Sequence, residues 1–134
     1  METRAFQVVM EEPYEAAVKK VMAALKMEGF GIITQIDVRA TIKEKLDEDF
    51  RPYIILGACN PRLAHSALEL DPGIGVMLPC NVTVEERPDG GSLVSIANPS
   101  AMMGADDPQA NRKLKKVAAE ARERLERVQR SLGG

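Results

Sequence analysis

Tryptophan is absent from these 134 residues, and the aromatic side chains amount to three Phe and two Tyr. So few rings argue against a surface that stacks bases or wedges them apart, and nucleic acid is not an expected partner. No apolar run approaches the ~20 residues needed to cross a bilayer, and Met1-Glu2-Thr3-Arg4 lacks the apolar core of a secretory signal. A soluble cytoplasmic protein with no membrane contact is the expectation. Cysteine occurs twice and histidine once. That is too little for a disulfide scaffold, and free thiols are expected in a reducing compartment. The formal charge of −2 gives no global pull toward polyanions. The charge is uneven, however: residues 111–130 hold eight Lys or Arg against three Glu, a net +5, which leaves −7 elsewhere. With 45% hydrophobic residues, no internal repeat and no low-complexity tract, residues 1–134 read as a single domain.

What is present is organised around Tyr53 to Asn81. The run Tyr53-Ile54-Ile55-Leu56-Gly57-Ala58 is the least polar of the chain and ends in Cys59-Asn60-Pro61. A short continuous apolar run bounded by turn signals reads as a central strand buried on both faces. Leu78-Pro79-Cys80-Asn81 closes the far side of the unit, so both cysteines and His65 fall within it.

Around this unit the periodicity predicts a first strand over 3–10 and a helix opened by Pro13, with Tyr14, Val18, Val21, Met22 and Leu25 in one stripe and Gly29 as its stop. Residues 30–38 alternate as a second strand with Phe30, Ile32, Thr34, Ile36 and Val38 on its better-buried face. Thr41-Ile42-Lys43-Glu44 reads as a capping box for a short helix through Leu46. Asn60 is a favourable cap, and Pro61 a favourable first residue, for a helix through Leu70. A break is expected at Pro79, which cannot donate to a ladder, then a strand over 81–87, the hairpin signal Asp89-Gly90-Gly91 and a partner strand over 92–97. Residues 98–104 read as a packed loop. Asp107 and Pro108 start a last helix whose Leu114, Ala118, Ala121, Leu125, Val128 and Leu132 recur at helical spacing. Glu120–Arg124, Glu123–Arg127 and Glu126–Arg130 are expected as i,i+4 pairs. The expected core is Ile55, Leu56, Val84, Ile96, Leu25, Val21, Leu114, Ala118 and Leu125.

The chemistry-bearing residues support several readings. Cys59, His65 and Cys80, with Met77, Met102 and Met103 nearby in sequence, form a soft donor set for Zn or Cu(I), although their spacing matches no short-loop zinc motif. Cys59 precedes a helix start, whose positive end lowers a thiol pKa. No second Cys stands two residues away, and no Ser/His/Asp or Cys/His motif surrounds it. Asn60 and Asn81 each follow a cysteine, where an amide fixes a polar ligand, and Met102-Met103 is placed to cover a pocket beside them.

Gly29-Phe30, Ile36-Asp37-Val38, Thr41-Ile42-Lys43, Tyr53-x-Ile55-Leu56-x-x-Cys59-Asn60-Pro61, Leu78-Pro79-Cys80-Asn81-Val82, Asn98-Pro99 and Met102-Met103 together resemble the bacterial and archaeal family named domain of unknown function 302. The resemblance spans nearly the whole chain and is most specific in the Cys-Asn-Pro and Leu-Pro-Cys-Asn blocks. It implies an α+β fold of β-α-β(4)-α type, similar to one half of the TATA-box-binding protein, with helices on one face of a curved antiparallel sheet. A homodimer is expected from that half-repeat likeness. The family implies no activity and no cofactor. The expectation is therefore a non-enzymatic binding or interaction module for a small molecule or protein, with Cys59, Asn60, Cys80, Asn81, Met102 and Met103 around a cleft in which His65 is the group titrating near neutral pH. A thiol- or metal-dependent activity is the alternative.

Overall fold

A computed structural model describes residues 3–103 and 111–134. Five strands, β1 (Ala5–Met10), β2 (Gly31–Asp37), β3 (Tyr53–Cys59), β4 (Cys80–Glu86) and β5 (Ser92–Ala97), form one antiparallel sheet in the order β1-β5-β4-β3-β2. The helices are α1 (Tyr14–Met27), α2 (Val38–Leu46), α3 (Pro61–Leu70), α4 (Pro99–Met102) and α5 (Arg112–Ser131), and a 3-10 turn spans Pro72–Met77. The α+β class and the β-α-β(4)-α order hold once α2 and α3 are taken as insertions between strands. Among the described residues, no helix is long and apolar enough to cross a membrane.

Burial is one-sided. Val8, Leu56, Val82, Val84, Val94 and Ile96 line one face of the sheet and pack against Val21, Leu25, Leu125 and Val128 of α1 and α5. The helix α1 ends in a Schellman motif. Gly29 N–H donates to Lys26 O and Phe30 N–H to Leu25 O, with Gly29 at φ +85°, a left-handed conformation that glycine adopts without steric cost.

Several expectations change. The middle strand is β4, and β3 is not buried on both faces along its length: Leu56 is fully buried while Ile55 is half-buried on the opposite side, where Gly57 alone is covered. A run of consecutive β-branched and aliphatic residues does not itself say which side is covered. In β2 the alternation slips. Ile32 pairs with Ala58 but Thr34 pairs with Gly57, so Ile33 is an extra, bulged residue. Beyond it Thr34 and Ile36 turn to the open face, where Ile36 is 47% exposed. The start of α2 lies earlier than the Thr41 box, because Asp37 Oδ1 accepts from Ala40 N–H at 3.0 Å and the Thr41 hydroxyl donates to Asp37 O at 2.8 Å.

The helix α5 is capped by Asn111, whose Oδ1 accepts from Lys113 N–H at 2.7 Å. The expected start at Asp107 and Pro108 lies outside the described residues. Of the three expected pairs on α5, Glu120–Arg124 forms. Glu126 instead meets Arg122, and Arg127 reaches across to Glu28 at the end of α1. The connection after β5 is packed: Asn98 caps α4 through Ser100 N–H and ties down the chain start through Thr3 O, and Met103 is buried.

Leu125 has no exposed surface, so Leu125→Ala should cost about 2–5 kcal/mol in urea unfolding. A cost under about 0.5 kcal/mol would detach α5 from the core.

Candidate functional site

The two Cys-Asn dipeptides meet where β3 ends and β4 begins. Ala58 and Cys80 are ladder partners, which sets their α-carbons about 4.5–5.5 Å apart, and Cys59 is the next residue along. Each dipeptide has a local reason for its place. Asn60 stops the strand and caps α3, its Oδ1 accepting from Leu63 N–H at 3.2 Å, a contact of a kind that contributes about 1 kcal/mol. Cys80 follows the 3-10 turn and Pro79, after which the ladder starts.

Between these ends lies a cavity of about 340 Å³. Cys59, Asn60, Cys80 and Met103 line it, together with Phe30, Ile33, Leu63, Leu68 and Ala121. Asn81 and Met102 do not. They border a shallower hollow of about 170 Å³ on the open side of the sheet, beside Arg4, Thr83 and Ser95, because Asn81 pairs with Gly57 and alternates away from Cys80. His65 faces solvent on α3. Its side chain is 76% exposed and its Nε2 lies 3.0 Å from Glu69 Oε1, so it stands outside the cleft in which it was expected. Cys59, His65 and Cys80 are therefore not assembled as a donor set. Among the described residues, no group of three or more His, Cys, Asp or Glu is placed to hold a metal ion.

The thiol electrostatics run opposite to the helix-terminus expectation. Burial raises the Cys59 pKa. The more deeply buried Cys80 is pushed up to about 11, chiefly by burial and further by a charge on Cys59. Desolvation of the thiolate outweighs the partial charge of the α3 terminus. Both cysteines are free thiols, and at neutral pH they stay protonated and weakly nucleophilic.

Among the wall residues that sequence reading missed are Gly75, Leu78 and Pro79 from the 3-10 turn and the segment after it, and others from β2, α3 and α5. Phe30 and Ile33 flank the start of β2, where the bulge turns Ile33 outward to 61% exposure. Leu68 stands four residues after Ala64 on α3 and is 40% exposed. Ala121 of α5 is small enough to leave space. The i,i+4 spacing of Ala64 and Leu68 was the available signal; nothing in the apolar pattern of β2 marked its bulge.

An open antiparallel sheet with two long helices on one face and an apolar cavity at the β3–β4 end defines a small α+β domain. The chain belongs to the family described as domain of unknown function DUF302, whose model matches residues 6–132. It is similar to a solved structure, an uncharacterized conserved DUF302 protein from Bacillus stearothermophilus, at 26% identity over 98% of this chain and 99% of that one, with a TM-score of 0.85. No curated protein matches.

Below pH 9, the ordinary value for a thiol, Cys80 is protonated in the folded and unfolded chain alike. Above it the unfolded chain loses a proton that the folded chain keeps until about pH 11, so stability falls across that window, by roughly 2–3 kcal/mol at ~1.4 kcal/mol per unit. Unfolding free energies at pH 8 and pH 11 should show a smaller drop for Cys80→Ala than for the unmodified chain. Equal drops would mean that the thiol is not desolvated.

Proposed function

We propose that this domain is a non-enzymatic binding module that takes a small molecule with an apolar body into the cavity between the two Cys-Asn dipeptides. The observation that carries this is the cavity: about 340 Å³, within the range of small-molecule sites and walled, among the described residues, mainly by aliphatic side chains with one amide. Its surroundings support the same reading. Ile33 and Leu68 line it and are 61% and 40% exposed, and Val76, next to the lining residue Gly75, is 88% exposed. Apolar surface held open to water beside an apolar hollow favours an apolar occupant. The raised thiol pKa values support binding rather than nucleophilic chemistry there.

Nucleic acid is left aside. The open sheet face presents Gln7, Ser95, Thr83 and Thr34 in place of a basic stripe, and three α5 arginines, Arg122, Arg124 and Arg127, are engaged with carboxylates.

Titration with an uncharged environment-sensitive dye should give saturable one-to-one binding. Ala64→Phe, which adds a ring from a half-exposed wall position, should weaken it at least tenfold without lowering Tm. Absence of saturable binding to the unmodified chain would end this reading.

We also propose that two copies pair. β2 is an edge strand with Ile36 47% exposed, and an uncovered apolar edge gains by joining a second copy across a two-fold axis. Light scattering at micromolar concentration should return twice the 14.7 kDa chain mass; a clean monomer would dispose of the pairing.

A further inference from the structure

We infer that the ligand of this cavity is an anionic amphiphile, with its apolar body in the hollow and its carboxylate held between Asn60 Nδ2 and the Arg124 guanidinium above Gly29. The inference rests on the binding reading just given and adds the polar end of the ligand.

Among the described residues Asn60 is the one amide in the wall, and it is only 9% exposed. Its Oδ1 is used by the α3 cap. That orientation leaves Nδ2, a two-proton donor, without an acceptor among the described residues. No side-chain nitrogen among the described residues is both sealed from solvent and unpartnered, so the Nδ2 protons face water at the wall of the hollow, where a ligand atom can accept from them.

Its neighbour across Gly29 is a cation. A β-carbon placed on Gly29 would lie 2.9 Å from Asn60 Nδ2 and 3.7 Å from Arg124 Nη1, so the two nitrogens are within about 7 Å of each other. A carboxylate accepting one bond of about 2.9 Å from each nitrogen spans that separation. Gly29 precedes Phe30, and Arg124 is one helical turn after Ala121; both Phe30 and Ala121 line the cavity. The head position therefore adjoins the hollow.

Arg124 is itself positioned for this. Its Nε donates to Glu120 Oε2 at 3.2 Å and its Nη1 to Glu28 O at 3.1 Å, which fixes the guanidinium plane while further N–H donors of the five remain. The Glu28 carboxylate is turned away, held by Arg127 at 2.9 Å. Among the described residues Glu120 is the carboxylate paired with Arg124, and it is 46% exposed, so solvent screens it more than it would a bound carboxylate. At the ~30 Å³ that a water takes in the liquid, the hollow accommodates roughly ten non-hydrogen atoms, which sets a medium-length or compact apolar body.

Decanoate and decanol, each below its aggregation threshold, test this by calorimetric titration against the full chain. Decanoate should bind at least tenfold more tightly than decanol. Asn60→Asp keeps an N-cap of similar quality but replaces the donor by a carboxylate. It should reduce the decanoate-to-decanol affinity ratio at least tenfold with Tm retained, and Arg124→Gln should reduce it too. Equal affinities for the two ligands, or a ratio unchanged in Asn60→Asp, would overturn the anionic head and leave the apolar cavity reading standing. Failure of both ligands and of the uncharged dye to bind would overturn the cavity reading itself, and this inference with it.

Discussion

The arrangement of the sheet around the cavity depends on a close approach at Gly57. A β-carbon there would overlap Thr34 Oγ1 and lie 2.8 Å from Pro79 Cγ. Only a residue without a side chain lets β2 and the segment entering β4 close over β3 from both sides at this level. The β2 bulge follows from the same contact: Thr34 takes the position opposite Gly57, one residue later than strict alternation allows, and Ile33 is extruded. The rim of the cavity is thus a consequence of strand packing, and its exposed isoleucine is not a stray apolar residue. Pro79 completes the wall from the other side before Cys80 enters the ladder.

Coverage of the sheet on one face explains the division of labour between the two long helices and the short ones. The helices α1 and α5 supply Val21, Leu25, Leu125 and Val128 to the main core. A second cluster, with Ala67 of α3, Ile74 of the 3-10 turn, Met103 and Leu114 and Ala118 of α5, lies beyond the sheet end. The cavity sits where these two clusters meet, lined by Cys80 from the first, Met103 from the second and Ala121 of α5. Small residues at the contact, Ala58, Ala64 and Ala121, keep the clusters from merging into continuous packing. Cavities lined this way cost stability by comparison with filled ones, so a bound apolar body that replaces the missing contacts returns some of it.

Most of the architecture was legible because its signals are local. Gly29 after an amphipathic stripe, Asn60-Pro61 at a helix start and Asp89-Gly90-Gly91 between alternating strands each act through their own backbone, so spacing alone identifies them. What escaped depends on partners distant in sequence. The β2 slip is set by Gly57, over twenty residues away, and the exposure of Ile55 by which face the helices take. Asp37 displaced the Thr41 box as a cap because two competent caps stood four residues apart and the strand ended at the first. On the candidate site, the two Cys-Asn dipeptides are neighbours because the chain leaves β3, runs through α3 and returns as β4 beside it. The split between the two sides of the sheet was implicit in period-two alternation: Cys80 and Asn81 are consecutive in a strand and so cannot share a face. Met102 and Met103 separate for the helical equivalent of that reason, at the end of α4. His65 stands four residues before Glu69, a spacing that brings the two side chains together on one helix face, and that face is the exposed one.

The cysteines show how environment decides between two chemistries open to one residue type. A thiol at a helix start is activated only if the thiolate keeps some solvation, since the partial charge of the terminus acts over one turn. Here the wall around Cys59 and Cys80 is aliphatic, so forming a thiolate forfeits water without a fixed cation in exchange. The Arg124 guanidinium lies on the Gly29 side of Asn60, where its Nη1 donates to Glu28 O. A second thiol adds repulsion: ionising Cys59 makes ionising Cys80 harder. The pair thus behaves as small apolar surface, which suits a wall that must be thin and unreactive. It leaves the polar work of the cavity to the Asn60 amide.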